Sequence, residues 1–169
     1  MRPRSVILAL SAAALTLAAG RGFAQAHEPA PRSVAVERLL PLRVWSSSKG
    51  LSPRECSALT DSLAETLRHH PGFAVLPVPK QDPMDLMVEA GCTDLDIECL
   101  VAIGSGMGAD LLLFVEVEEK SGKFRVQARL AEVARKGMRA AVSETESRAQ
   151  VREAIAGAVE EVLGPGPWG

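Results

Sequence analysis

Asp110–Val133 constrains the fold more than any other part of this chain. Asp110–Glu119 (DLLLFVEVEE) is a strongly apolar run whose second half alternates, Ser121-Gly122 supplies turn residues, and Phe124–Val133 (FRVQARLAEV) alternates back. Two period-two runs around a short glycine turn make a β-hairpin. Arg135–Gly137 turns the chain again, and Arg139–Glu146 (RAAVSETE) continues as a third strand. A meander of this kind needs its apolar face covered by other elements.

Helical signals stand on both sides of it. Ser52-Pro53-Arg54-Glu55 is a capping box with proline at the first helical position. The helix it opens runs to about His70, carries Cys56, Leu59, Leu63 and Leu67 on one stripe, and stops at Pro71-Gly72. Asp82-Pro83 opens a shorter helix through about Ala90, ended by Gly91. A third begins near Asp94–Asp96, where acids suit a helix N-terminus, and carries Ile97, Leu100, Val101 and Ile103. Gln150–Leu163 forms a last helix with Val151, Ile155, Val159 and Val162 on its stripe. Ser33–Trp45 and Phe73–Val78 read as strands; Pro41 lacks an N–H, so the first is an edge, a bulge or two shorter pieces. The expected order is β-α-β-α-α-β-β-β-α, an α+β (α/β sandwich) fold with a mixed sheet and helices packed mainly on one face.

The N-terminus reads as a secretory signal peptide. MRPRS carries two arginines, Val6–Ala19 is uncharged and apolar, and Ala24-Gln25-Ala26 places small residues where cleavage needs them, between Ala26 and His27. The apolar run is shorter than the ~20 residues a spanning helix requires. No cysteine follows it to take a lipid, so the expectation is an exported, soluble, periplasmic chain without a membrane span. The expected organisation is a signal peptide (1–26), a flexible leader (27–32), one domain (33–163) and a flexible tail (164–169). Removing the signal takes away three arginines and no acid, moving the formal charge from −2 to −5. Such a chain has no general attraction for nucleic acid.

Export sets the redox context for three cysteines. Cys92 and Cys99 bracket a helix–loop–helix corner and read as a structural disulfide, one that contributes about 2–3 kcal/mol on the chain-entropy account. The alternative, a redox pair, lacks the C-x-x-C spacing of thioredoxin-type sites. Cys56, on a helix stripe, reads as a small buried hydrophobe and a free thiol.

Other candidate chemistry fails on context. Ile103–Asp110 (IGSGMGAD) holds three glycines, but it leaves a helix and enters a strand. A phosphate loop does the reverse, so that a helix N-terminus faces the anion. Gly106 or Gly108 is instead expected as the left-handed residue of a helix C-cap, the other glycines allowing close helix–strand approach. His69 and His70 point about 100° apart on a helix and lack a third ligand, which argues against metal. Ser46-Ser47-Ser48-Lys49 and Lys120-Ser121-Gly122 imitate two boxes of penicillin-binding enzymes, but the first opens no helix and the second is a turn. Four Phe, two Trp and no Tyr offer no stacking platform for bases or sugars. Trp45 reads as a core-edge residue and Trp168 as exposed.

Four short motifs carry a resemblance. Ala58-Leu59-Thr60 lies in the first long helix, Pro71-Gly72-Phe73 follows it, and Cys99-Leu100 and Gly108-Ala109-Asp110 flank the glycine segment. From Val34 to about Leu163 the chain resembles bacterial envelope α/β domains, namely the TolB N-terminal domain and the related CsgG-like and penicillin-binding-protein-activator domains. The resemblance implies a periplasmic interaction module without cofactor, serving envelope assembly or transport. TolB itself continues into a β-propeller and many relatives carry a lipid anchor, features expected to be missing here.

The functional expectation is therefore a non-catalytic exported module that binds an envelope protein partner, with no nucleotide, metal or cofactor. Unpaired strand edges accept an added strand, and the region around Pro41 and the strand end at Ser143–Glu146 are the candidate edges. The alternatives are a periplasmic thiol-disulfide oxidoreductase using Cys92 and Cys99, and a small-ligand carrier.

Overall fold

The computed structural model describes residues 36–164. The signal peptide, its cleavage site at Ala26–His27, the leader and Trp168 lie outside the described residues. The elements follow the chain as β1 (Glu37–Pro41), β2 (Trp45–Ser46), α1 (Pro53–Arg68), β3 (Phe73–Val75), α2 (Pro83–Glu89), α3 (Ile97–Gly106), β4 (Leu111–Lys120), β5 (Lys123–Glu132), β6 (Gly137–Thr145) and α4 (Val151–Leu163). The six strands form one mixed sheet in the order β3-β1-β4-β5-β6, with β2 also paired to β4. The first three positions are parallel, and the β4–β5–β6 meander is antiparallel. The α+β class expected from the element order is the class observed.

Local signals explain most element ends. Ser52 caps α1 by accepting from the Glu55 N–H, and the Glu55 carboxylate accepts in return from the Ser52 N–H at 2.8 Å. Asp96 caps α3, accepting from the Cys99 N–H at 2.9 Å. The β4–β5 hairpin turns through Ser121 and Gly122, both with positive φ, as a two-residue turn matched to strand twist requires.

Pro41 behaves as the chemistry of its nitrogen dictates, though not at an edge. The first predicted strand splits into β1 and β2, and β1 is interior, between β3 and β4. Along β1 the backbone groups alternate sides: Arg38 O accepts from Asp110 N and Leu42 N donates to Leu113 O toward β4, whereas Leu39 O accepts from Leu76 N toward β3. The Pro41 nitrogen therefore faces the β3 side, beyond the last β1–β3 pair at Leu39–Val75, and no ladder bond is lost. Among the described residues the edges of the sheet are β3, three residues long, with the two-residue β2 past Pro41, and β6, nine residues long.

The layering departs from expectation in one respect. Helices cover both faces of the sheet rather than mainly one. Leu111, Leu113, Val115 and Val117 of β4 pack with α1 and α4, while Leu112 and Phe114 pack with Leu86 of α2 and Leu100 and Ile103 of α3. Alternate side chains of a strand point to opposite faces, so the unbroken apolar run Leu111–Val115 is a strand buried on both. Beyond Phe114 the cover by α2 and α3 ends: Glu116 and Glu118 are only partly buried while Val117 stays buried. One face of the meander is consequently open.

Candidate functional site

The glycine segment closes a helix and does not open one, so it presents no helix N-terminus to an anion. α3 ends with Met107 at the C-cap and Gly108 at φ +69°. Gly108 N donates to Ser105 O at 3.1 Å and Ala109 N to Gly104 O at 2.9 Å, the paired bonds of a Schellman cap. Gly104 permits close approach: a Cβ there would sit 2.7 Å from the Val133 side chain. Asp110 then ties the segment to β1. Its Oδ2 accepts from the Arg38 backbone N–H at 2.9 Å and from Arg38 Nε at 3.0 Å, and its Oδ1 accepts from the other end of the guanidinium at 3.1 Å. These bonds hold the Asp110 carboxyl below the usual carboxylate range. The helix's negative end faces this loop, and every residue of Gly108-Ala109-Asp110 has a structural task.

The cysteines separate by environment. Cys92 and Cys99 form a disulfide with Cα atoms 5.7 Å apart, joining the end of α2 to the first turn of α3. Cys99 is 2% exposed and lies in the apolar cluster under α3. Cys56 is only half-buried, at the margin of the α1 stripe rather than inside it. The buried stripe of α1 is turned toward Thr60 and Ala64, because Thr60 has a partner to meet: its hydroxyl accepts from Val44 N at 2.9 Å and donates to Cys56 O at 2.7 Å. Burial, followed by the neighbouring Glu55 charge, pushes the Cys56 thiol up. His70 stacks on Phe73 with centroids 5.2 Å apart, and His69 faces Glu65. Among the described residues no three His, Cys, Asp or Glu side chains gather into a metal set, and no helix is long and apolar enough to cross a membrane.

The open face carries two features that sequence reasoning did not assemble. A cleft of ≈ 400 Å³ lies between the α2–α3 loop, β2 and the meander, with Trp45, Met84, Leu95, Asp94, Glu116 and Arg129 around it. Arg129 lies 5.6 Å above the ring of buried Phe114, donates to Leu95 O at 2.9 Å and Gln127 Oε1 at 2.8 Å, and reaches Glu116 at 3.4 Å. The alternation of FRVQARLAEV already placed Arg129 on the face opposite Leu130; its pairing with β4 could be found only from register. Beside the cleft, β6 shows the same face to solvent through Met138, Ala140 and Val142, with Met138 45% and Val142 44% exposed. On the opposite side of the sheet a smaller apolar groove of ≈ 90 Å³ runs between α1 and α4 over Leu63, Ile155 and Val159.

The loop Ser46–Gly50, which imitates one enzyme box, is used in stitching. Ser48 Oγ accepts from Glu119 N at 2.7 Å, and Arg148 donates to Gly50 O and Glu55. Lys120-Ser121-Gly122 is the hairpin turn itself.

No protein-family model matches this chain, and neither does any curated protein. Solved structures similar to it include the LpoB C-terminal domain from Escherichia coli, at 16% identity over 68% of this chain and 85% of that one, TM-score 0.47. Lipoprotein GNA1162 from Neisseria meningitidis is similar at 15% identity over 76% and 98% of the two chains, TM-score 0.46. TolB from Acinetobacter baumannii is similar at 14% identity over 76% of this chain and 28% of that one, TM-score 0.46.

Proposed function

We propose that this chain is a non-catalytic, exported interaction module that binds a protein partner in cell-envelope assembly or transport, taking an extended segment of it as an added strand along β6. The β6 edge carries the reading. It pairs with β5 without interruption from Gly137–Glu132 to Thr145–Phe124, and contains no proline and no bulge. Natural sheets commonly blunt such edges; β3, the other edge, stops after three residues. Met138 and Val142 add apolar contact at the rim, as strand addition uses. Of the two edges expected from sequence, the one ending near Ser143–Glu146 is the longer; past Pro41 the edge is the two-residue β2.

A periplasmic site of action is supported by the signal-peptide pattern and by a disulfide, which persists in oxidising compartments. The non-catalytic reading is supported by the burial of Cys99, the raised Cys56 thiol and the capping role of the glycines. Among the described residues no buried side-chain polar atom lacks a partner. The reading involves no nucleotide, nucleic acid or cofactor.

The test is affinity capture from envelope extract with the exported protein and with Met138→Lys/Val142→Lys, whose positions are exposed and tolerate substitution. The expected result is a retained protein that the lysine variant loses. Nothing above background, or equal retention by both, overturns the reading.

A further inference from the structure

The cleft on the open face has a chemistry of its own. Of the described residues lining it only Arg129 is cationic, and that guanidinium is already engaged by Leu95 O, Gln127 and Glu116 while lying over Phe114. Arg129 is therefore part of the wall and is not available to receive an anion. With Glu116 offset by Arg129, the charge left at the mouth is that of Asp94 and Asp96. Asp96 is tied to the α3 N-terminus, and Asp94 is exposed and accepts from the Thr93 hydroxyl.

The other walls include half-buried Trp45 and the side chains of Met84, Met87 and Leu95. An indole face is the best aromatic partner for a cation, and methionine adapts to the stem behind one. Lysine and arginine side chains present that combination, an aliphatic stem with a cationic head. The volume falls within the range of sites that enclose an organic group. The acidic wall, Thr93–Asp96, lies inside the short loop closed by Cys92–Cys99, so the disulfide fixes it before anything binds.

We propose that this cleft receives a guanidinium or ammonium side chain of the partner polypeptide, and that the Cys92–Cys99 disulfide holds its acidic wall in the receptive shape. The inference rests on the partner-binding reading and adds which side chain the partner presents.

The test is an NMR titration of the exported protein with acetyl-Gly-Gly-Arg-Gly-Gly-amide, following the Trp45 indole N–H and the amides of residues 93–96. The same peptide with citrulline, an uncharged isostere, is the control. Saturable shifts are expected with arginine, weakened about tenfold by citrulline or by Asp94→Asn, a change at an exposed position. Trp45→Leu has the same expected effect, and disulfide reduction weakens the response severalfold. Absent saturation, or equal binding of the citrulline peptide, overturns the inference; tetramethylammonium binding as tightly as the peptide overturns the assignment to a partner side chain. Met138→Ser/Val142→Ser, which removes the apolar rim without adding charge beside the cleft, leaves this titration unchanged, so the edge can fail while the cleft stands. Partner capture that survives Asp94→Asn and Trp45→Leu overturns the cleft's role and leaves the edge intact.

Discussion

Asp110 shows how much of this chain's distinctive sequence is spent on holding β1 against the end of α3. Its carboxylate accepts from both the backbone and the guanidinium of Arg38, which keeps its folded pKa below the unfolded value of roughly 4. A depressed carboxylate contributes stability that is present above its unfolded pKa and lost as pH falls through the folded one. Asp110→Asn is therefore expected to lower the urea midpoint at neutral pH, with the two proteins converging in acid below about pH 4. Parallel curves at all pH values would show that the pair contributes no proton linkage. The pair is part-exposed, so its contribution is modest. Gly104 and Gly106, two residues apart on α3, make a sharper contrast. A Cβ on Gly104 meets Val133, whereas one on Gly106 meets nothing within 4 Å. Gly104→Ala is expected to destabilise by about 1–3 kcal/mol and Gly106→Ala to be neutral or stabilising by up to about 1 kcal/mol, both read from chemical denaturation.

At the scale of elements, the α2–α3 corner is the best place to separate a structural disulfide from a redox pair. With Cys99 buried and the Cys56 thiol raised, thiol titration of the native protein is expected to find one slow-reacting thiol. Two fast thiols of low pKa would support an oxidoreductase instead. The same corner shows which information is local. The Ser52–Glu55 box, the Asp96 cap, the Gly108 cap and the Ser121-Gly122 turn were legible because each is decided within about six residues by backbone hydrogen bonding. What was not legible depends on residues far apart in sequence. Pro41 lies in an interior strand because β3 is short, and the α1 stripe turns toward Thr60 because Val44 needs an acceptor. The two-sided cover of β4 was written in LLLFV, a run too apolar for a strand with one wet face. Arg129 enters the cleft only once β4, β5 and the α2–α3 loop are brought together.

Among the described residues, α1 and α4 cover one face of the sheet and α2 and α3 part of the other, leaving half of that second face of the meander exposed. The buried side is self-sufficient, with the apolar stripe of α4 packed on β5 and β6 and no buried side-chain polar atom unpaired among the described residues. The unfinished side combines the β6 edge, unpaired among the described residues, exposed Met138 and Val142, and the acidic cleft with Trp45. Deuterium exchange of the β6 amides, free and with the captured partner bound, addresses that asymmetry directly, since backbone bonds to an added strand must slow them. Protection along residues 137–145 is expected on binding; unchanged β6 amides with protection confined to the groove between α1 and α4 would contradict strand addition at β6.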